Sequence, residues 1–296
     1  MIRMTDDKKF SLAATLILGV LSVLTLMPIV LIFIASITGE KALLSNGYSY
    51  FPESISFDSY LYLLNQGATI FRAYGITILV TLIGTVGGVL ITTMLAYPMS
   101  RKNFKYRNAL SFFVFFTMLF SGGIVASYMM WSNIFHIKDT IWALIIPNYL
   151  VMGFNVFLAR NYYANNIPDA IIESAEIDGA GEFRTFWKIV FPLSVPTIAT
   201  ISLFTAIVYW NDWINGLYYL TTPKYYGIQN LLIKIMNNVN FLKSGSSNFV
   251  GLANIKLPGT SVRMAMAVIG ILPILIVYPF VQKYLIKGVV VGAIKG

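Results

Sequence analysis

The residues from Phe10 to Gly39 contain no charged side chain. That run constrains the fold more than any other feature, because about 20 consecutive apolar residues let a helix cross a bilayer. Comparable uncharged runs recur at Ala73–Ser100, Asn108–Phe135, Thr140–Ala159, Ile189–Asn211 and Met264–Gln282. The expected fold class is an all-α polytopic membrane protein with six transmembrane helices, near 11–36, 73–98, 109–130, 141–160, 197–219 and 264–285. The fifth is the least regular, since Asp212 lies inside it.

Composition agrees with that class. Charged residues make up 11% of the chain and hydrophobic residues 57%, whereas a soluble domain carries about a quarter charged residues. There is no cysteine, which excludes disulfides, thiolate metal sites, iron–sulfur clusters and cysteine-ligated haem. A single histidine, His136, excludes a multi-histidine metal site within the chain. The net charge of +9 reads as the positive-inside bias of a membrane protein rather than as a nucleic-acid surface. Arg3, Lys8 and Lys9 precede the first apolar run as they would in a signal peptide. The run is longer than the roughly 7–15 apolar residues of such a signal, so a retained helix is expected.

Lys and Arg set the expected orientation. Arg101, Lys102, Lys105 and Arg107 crowd one short connection, while the next holds only Lys138. The crowded side is cytoplasmic, which puts both termini and the loop 161–195 inside. The chain then divides into three regions: an N-terminal helix with an external segment (1–72), a core of five helices (73–286) and a cytoplasmic tail (287–296). Outside, Phe57–Leu64 reads as a short interfacial helix. Ile228, Leu231, Leu232, Ile235, Met236 and Val239 fall on one face of a second helix. That helix lies on the outer surface, roofs a cavity or packs on its own neighbours; spacing leaves these open. Gly84 and Gly88 permit close helix approach. Gly122-Gly123, Pro28, Pro147, Pro273 and Pro279 mark possible bends.

The loop 161–195 is itself built like a small folded element. Pro168 suits a first helical turn, and Asp169 and Glu173 lie toward the end of that helix where negative charge is favoured. Gly179 follows Asp178 as a residue able to take positive φ and stop the helix. A second helix starts near Glu182, with Phe183, Phe186, Trp187 and Val190 on the face expected to pack on the membrane domain. Pro192 ends it and Pro196 starts the fifth span. Small Ser174 and Ala175 leave the first helix slim enough to enter a cleft.

Glu173-Ser174-Ala175, then Gly179 and Phe191-Pro192-Leu193, resemble the E-A-A-x-x-x-G coupling loop of permeases in binding-protein-dependent ABC importers. Asp178-Gly179-Ala180 resembles the carbohydrate branch, in its maltose-permease-like, oligosaccharide-associated group. Ser121-Gly122-Gly123, Tyr209-Trp210-Asn211-Asp212-Trp213 and the ending Tyr278–Tyr284 extend the resemblance over most of the chain. The resemblance implies the type I importer architecture. It implies ATPase coupling through Glu173, Ser174, Ala175, Glu176, Asp178, Gly179 and Ala180, and a tail whose Lys295 and Gly296 approach the ATPase. The implied partners are a second, homologous permease in a heterodimer, a dimer of ATP-binding subunits, an extracytoplasmic solute-binding protein and the lipid bilayer. The implied cargo is a carbohydrate, and the setting is the cytoplasmic membrane of a prokaryote, crossed several times. The chain itself would bind no cofactor, with ATP and Mg held by the ATPase. Since no G-x-x-x-x-G-K-[ST] occurs, that ATPase is a separate polypeptide.

Sugar sites stack rings on aromatic faces and bond hydroxyls with amides and carboxylates. Tyr209, Trp210, Asn211, Asp212, Trp213 and Asn215 supply those groups. Asp212 lies about 24 Å along a helix from Pro196, at about 1.5 Å per residue. An ionisable residue there is a candidate for the substrate path. Equally, Asp212 can cap a break in the helix while the tryptophans form an interface belt. Two other functions are weighed. An ion-coupled secondary transporter needs mid-membrane acids or histidines and an inverted repeat, and only Asp212 qualifies. An intramembrane enzyme needs a paired acid and base, and His136 lies far in sequence from any acidic pair.

Overall fold

The computed structural model describes residues 3–245 and 259–293, which are helical apart from short connections and one isolated bridge between Thr38 and Ile55. Packing divides them into two units, one drawn from the first 70 residues and Lys234–Pro273, the other from Phe71–Ile233 and the chain from Ile274 onward.

In the first unit, α1 (Arg3–Ser36) is apolar all round beyond Lys9, and a membrane-length window within Lys8–Ser36 is unburied. Uniform apolarity with exposure suits a helix whose solvent is lipid. Its end is fixed: Ala35 and Ser36 are buried, and Ser36 shares a 2.8 Å hydrogen bond with Tyr60 of α3 (Asp58–Asn65). The short helix expected at 57–64 is this α3. Between them, α2 (Glu40–Asn46) begins with Glu40. The two carboxylate oxygens of Glu40 accept the N–H groups of Thr260 (2.7 Å) and Ser261 (2.8 Å) at the start of α15 (Thr260–Ala293). A carboxylate at a helix N-terminus satisfies donors that have no partner within the helix.

The second unit is built around α4 (Gly67–Ser100). Its glycine seam does what the spacing predicts. A methyl group on Gly84 would overlap the Tyr209 ring, and one on Gly88 would lie 3.1 Å from the Leu150 carbonyl. α5 (Arg107–Leu119) and α6 (Gly123–Met129, continued by a π turn, Met130–Ile134) are bent by 114° around Gly122-Gly123, where Gly123 has φ +77°. The segment expected as one span at 141–160 is broken. α7 (Trp142–Ile145) stops before Pro147, Asn148 takes φ +69°, and α8 (Gly153–Asn166) starts afresh. Proline cannot donate to the helix ladder, and left-handed backbone reverses the chain.

α9 (Asp169–Ile177), α10 (Glu182–Thr185, continued by a π turn, Phe186–Val190) and α11 (Phe191–Leu193) form the loop element between α8 and the fifth apolar segment. The helix expected to stop at Pro192 runs through it to Leu193. α12 (Val195–Trp210) then leaves at 81°, with Pro196 in its first turn as predicted. The expected span 197–219 is also broken, because α12 stops at Trp210 and α13 (Ile214–Tyr219) starts after three intervening residues. α14 (Ile228–Gly245) buries Ile228, Leu231, Leu232 and Ile235, so its apolar face packs inward.

Among the described residues, α4 and the Lys8–Ser36 part of α1 are each long and apolar enough to cross a membrane; each bent pair is enough for one more, and Thr260–Ile276 is a shorter apolar helix. The main core joins Val89, Ala96 and Met99 of α4 to Val156 and Ala159 of α8, Ile172 of α9, Val190 and Ile201. The loop element is therefore packed into the same core as the membrane helices.

Candidate functional site

Pro168 is extended (ψ 133°) just before the helical residues of α9, one place outside the expected first turn. At the other end, the Ala180 N–H donates to the Ala175 carbonyl (2.9 Å) and the Gly179 N–H to the Glu176 carbonyl (3.0 Å). With Gly179 at φ +75°, this pair of bonds is the Schellman stop that the glycine predicts.

Two membrane-proximal cations clamp α9. Arg101 Nη2 meets Glu176 Oε1 at 2.9 Å, and Lys102 Nζ meets Asp169 Oδ2 at 2.8 Å. The Lys102 ammonium holds the Asp169 carboxyl below the usual carboxylate range. Tyr97, buried on α4, donates its hydroxyl to Glu182 Oε2 at 2.5 Å. Exposed ion pairs contribute at most about 1 kcal/mol each, so these contacts fix register more than they stabilise. A cavity of about 600 Å³ opens beside them, walled by Met94, Pro98, Phe104, Phe183 and Phe186, with Arg101, Glu176 and Glu182 at its polar positions.

The candidate coupling residues separate by face. Glu173, Ser174, Glu176, Asp178 and Gly179 are exposed, and Ile177 is 86% exposed beside them. Ala175 is buried with Ile172 against the membrane core, so the slim outer surface expected of Ser174 and Ala175 together belongs to Ser174 alone. On α10 and its continuation, Phe186 and Val190 pack inward as predicted and Trp187 is half-buried; Phe183 is 69% exposed, a correction to its expected packing. It lies one turn from the buried Phe186, where the chain has only just left the Gly179 turn. Lys295 and Gly296 lie outside the described residues.

The six residues at the break of the fifth span also divide. Tyr209 is buried and its hydroxyl donates to the Ile145 carbonyl at 2.7 Å. Asn215 is fully buried; its amide donates to the Pro147 carbonyl (3.2 Å) and accepts from Asn148 Nδ2 (2.9 Å). One amide therefore ties the break in the fourth segment to the break in the fifth. Asp212 Oδ1 accepts the N–H groups of Ile214 (3.0 Å) and Asn215 (3.1 Å), which is the capping arrangement left open by the sequence. Asn211 bonds back to the Ile207 carbonyl yet stays exposed, Trp210 packs near Tyr74, and Trp213 is 41% exposed. Surface for a ligand is thus offered by Asn211 and Trp213, not by Tyr209 or Asn215.

Sequence reasoning missed a further clamp at the other loop cluster of this unit. Asp139, at φ +56°, accepts the N–H groups of Thr221 (2.6 Å) and Thr222 (2.8 Å) and the Thr221 hydroxyl. These donors hold its carboxyl down at about 2. Nothing in the spacing of two residues so far apart announces that contact. Arg101, Lys102 and Tyr97 were missed differently: the basic run was read only for orientation.

Comparison with known proteins bears on both places. Residues 84–291 match the family described as binding-protein-dependent transport system inner membrane component. Protein LplC of Bacillus subtilis (strain 168) is 34% identical over 289 residues, covering 97% of this chain and 95% of that protein. The polygalacturonan/rhamnogalacturonan transport system permease protein YtcP of the same organism is 35% identical over 275 residues, covering 93% and 94%. Among solved structures, a chain of a bacterial ABC transporter involved in import of the acidic polysaccharide alginate superposes with TM-score 0.76 at 28% identity, covering 94% of this chain and 97% of that one.

Proposed function

From the premise that the chain belongs to the family of binding-protein-dependent transport system inner membrane components, we propose that it carries an oligosaccharide across the cell membrane of a prokaryote. It is a transport component of type I importer architecture rather than an enzyme, and the ATPase is a separate subunit. The observation that supports the coupling role is α9 itself. Its inner face is fixed in the membrane core by Ile172 and Ala175, and its outer face presents Glu173, Ser174, Ile177 and Asp178 to a partner.

In this reading the chain crosses the membrane six times with both termini inside. It pairs with a homologous permease, and a dimer of ATP-binding subunits holding ATP and Mg docks on Glu173–Ala180. When ATP closes that dimer, α9 moves with it. The shared core of α4, α8, α9 and α12 passes the motion to the membrane helices, which open outward to receive sugar from the binding protein. Relatives named for polygalacturonan, rhamnogalacturonan and arabinooligosaccharides favour an oligosaccharide cargo. Asn211 and Trp213 offer an amide and an aromatic face for it. The test is uptake by the reconstituted importer. Saturable, ATP-dependent entry of oligosaccharides, with no response to an ion gradient, is expected; gradient-driven uptake by this chain alone would overturn it.

A further inference from the structure

The break between α12 and α13 encloses a second feature that the transport reading does not use. Asp212, Asn230, Thr77, Tyr209 and Gly227 surround a void of about 10 Å³. Two buried acceptors on these residues, Asp212 Oδ2 and Asn230 Oδ1, make no hydrogen bond of normal geometry within the chain, the Tyr149 hydroxyl lying near the Asp212 carboxyl. Asn230 is 5% exposed and Thr77 6%. Neighbouring bonds fix which atoms remain. Asn230 Nδ2 donates to the Trp213 carbonyl at 2.6 Å, which turns its oxygen the other way. Asp212 Oδ1 is already occupied by two backbone N–H groups. Thr77 Oγ1 accepts the Ile228 N–H at 2.8 Å, which leaves its hydroxyl hydrogen free to donate.

A buried acceptor without a donor is destabilising, and two such oxygens on residues lining one void ask for a species with two donors. We propose that this void is the site of a single bound water. The water donates to Asp212 Oδ2 and to Asn230 Oδ1 and accepts from the Thr77 hydroxyl. Three bonds is the usual number for a buried water, and the void matches the roughly 10–15 Å³ that one water centre requires. The space beside Thr77 is tight: a methyl group on Gly227 would lie 2.9 Å from Thr77 Oγ1. The water fastens the segment Tyr209–Asn215 to α4 and to the start of α14. Thr77 and Asn230 thereby become positioning residues for Trp213 and Asn211.

The water stands on geometry alone; its effect on uptake rests on the proposed transport function, and the experiment separates the two. High-resolution cryo-electron microscopy of the complete importer, wild type, Thr77→Ser, Thr77→Val and Gly227→Ala, reads the site directly. Density with three oxygen neighbours at about 2.7–3.0 Å in wild type and Thr77→Ser, lost in Thr77→Val and Gly227→Ala, is expected. In uptake, Thr77→Val should raise the apparent KM about tenfold with Vmax little changed, the equivalent of one lost hydrogen bond, and Thr77→Ser should restore it. Gly227→Ala covers the case in which Thr77→Val fails to fold. Oxygens drawn in to about 2.3–2.6 Å would show a metal cation instead. Such density would overturn the proposal, as would no density with Asp212 Oδ2 bonded directly to the nearby Tyr149 hydroxyl. If density behaves as expected but KM does not move, the positioning role fails while the transport reading stands.

Discussion

Arg101, just past the end of α4, holds Glu176 of α9 at 2.9 Å, and its side chain is only 12% exposed. The longest helix of the core unit is thus pinned to the element proposed to receive the ATPase. A half-shielded pair of this kind is worth little as stability but fixes where α9 sits relative to α4. Arg101→Met should leave assembly of the complex intact and lower uptake about threefold to tenfold, with ATP turnover falling less than transport. The swap Arg101→Glu with Glu176→Arg should recover part of the loss. Uptake and ATPase rates measured side by side check this, and an Arg101→Met importer with wild-type coupling would refute it.

Gly179 should show a graded response. Its φ of +75° disfavours any side chain, yet a Cβ there would meet no atom within 4 Å. The penalty is therefore backbone alone, about 1–2 kcal/mol for an ordinary residue and less for Asn, which tolerates the left-handed region. Thermal denaturation of the purified complex should rank wild type above Gly179→Asn, then Gly179→Ala, then Gly179→Val. An Ala variant as stable as wild type would mean that the turn is not held as described.

Asp139 predicts a pH window. Its carboxyl is held at about 2 by the Thr221 hydroxyl and by the N–H groups of Thr222 and Thr221, against about 3.9 in an unfolded chain. A folded value below the unfolded one gives stabilisation that is complete above about pH 4 and disappears as pH falls through about 2. Hydrogen exchange of the Thr221 and Thr222 amides should therefore be flat from pH 5 to 8 after correction for intrinsic rates. Asp139→Ala should raise it at every pH in that range. A step in protection near pH 6 would assign the clamp to another group.

Trp213 and Asn215, two residues apart, should fail in different ways. Trp213→Ala removes exposed ring surface and should impair uptake while the complex still assembles. Asn215→Leu strips partners from Asn148 and from the Pro147 carbonyl inside the protein, at about 1–3 kcal/mol for each buried group left unpaired. It should lower the yield of folded chain. Size-exclusion profiles alongside transport assays separate the outcomes; normal uptake by Trp213→Ala would remove this segment from the substrate path.

How far the sequence was readable depends on what each signal encodes. Gly179 and Pro196 act on their own backbone, so the stop of α9 and the start of α12 were legible. Hydropathy averages over a window, so it could not see that Pro147 and Asn148 break the 141–160 run or that α12 ends at Trp210. Spacing placed Phe183 on the face of Phe186 and Val190, but whether that face has a neighbour one turn earlier depends on where α4 ends. The bonds from Asp139 to Thr221 and from Arg101 to Glu176 join residues 82 and 75 positions apart, and no local rule reaches that far.

Docking of the ATPase on α9 and its glycine turn is the proposed coupling contact. It is tested most directly by purifying the tagged chain from its native membrane, as wild type, Glu173→Lys and Gly179→Pro, and identifying what accompanies it. An ATP-binding subunit and a second permease are expected with the wild type, and loss of the ATP-binding subunit with retention of the second permease in both variants. Recovery of the ATP-binding subunit at wild-type levels in both variants, or of the chain alone in every case, would contradict it.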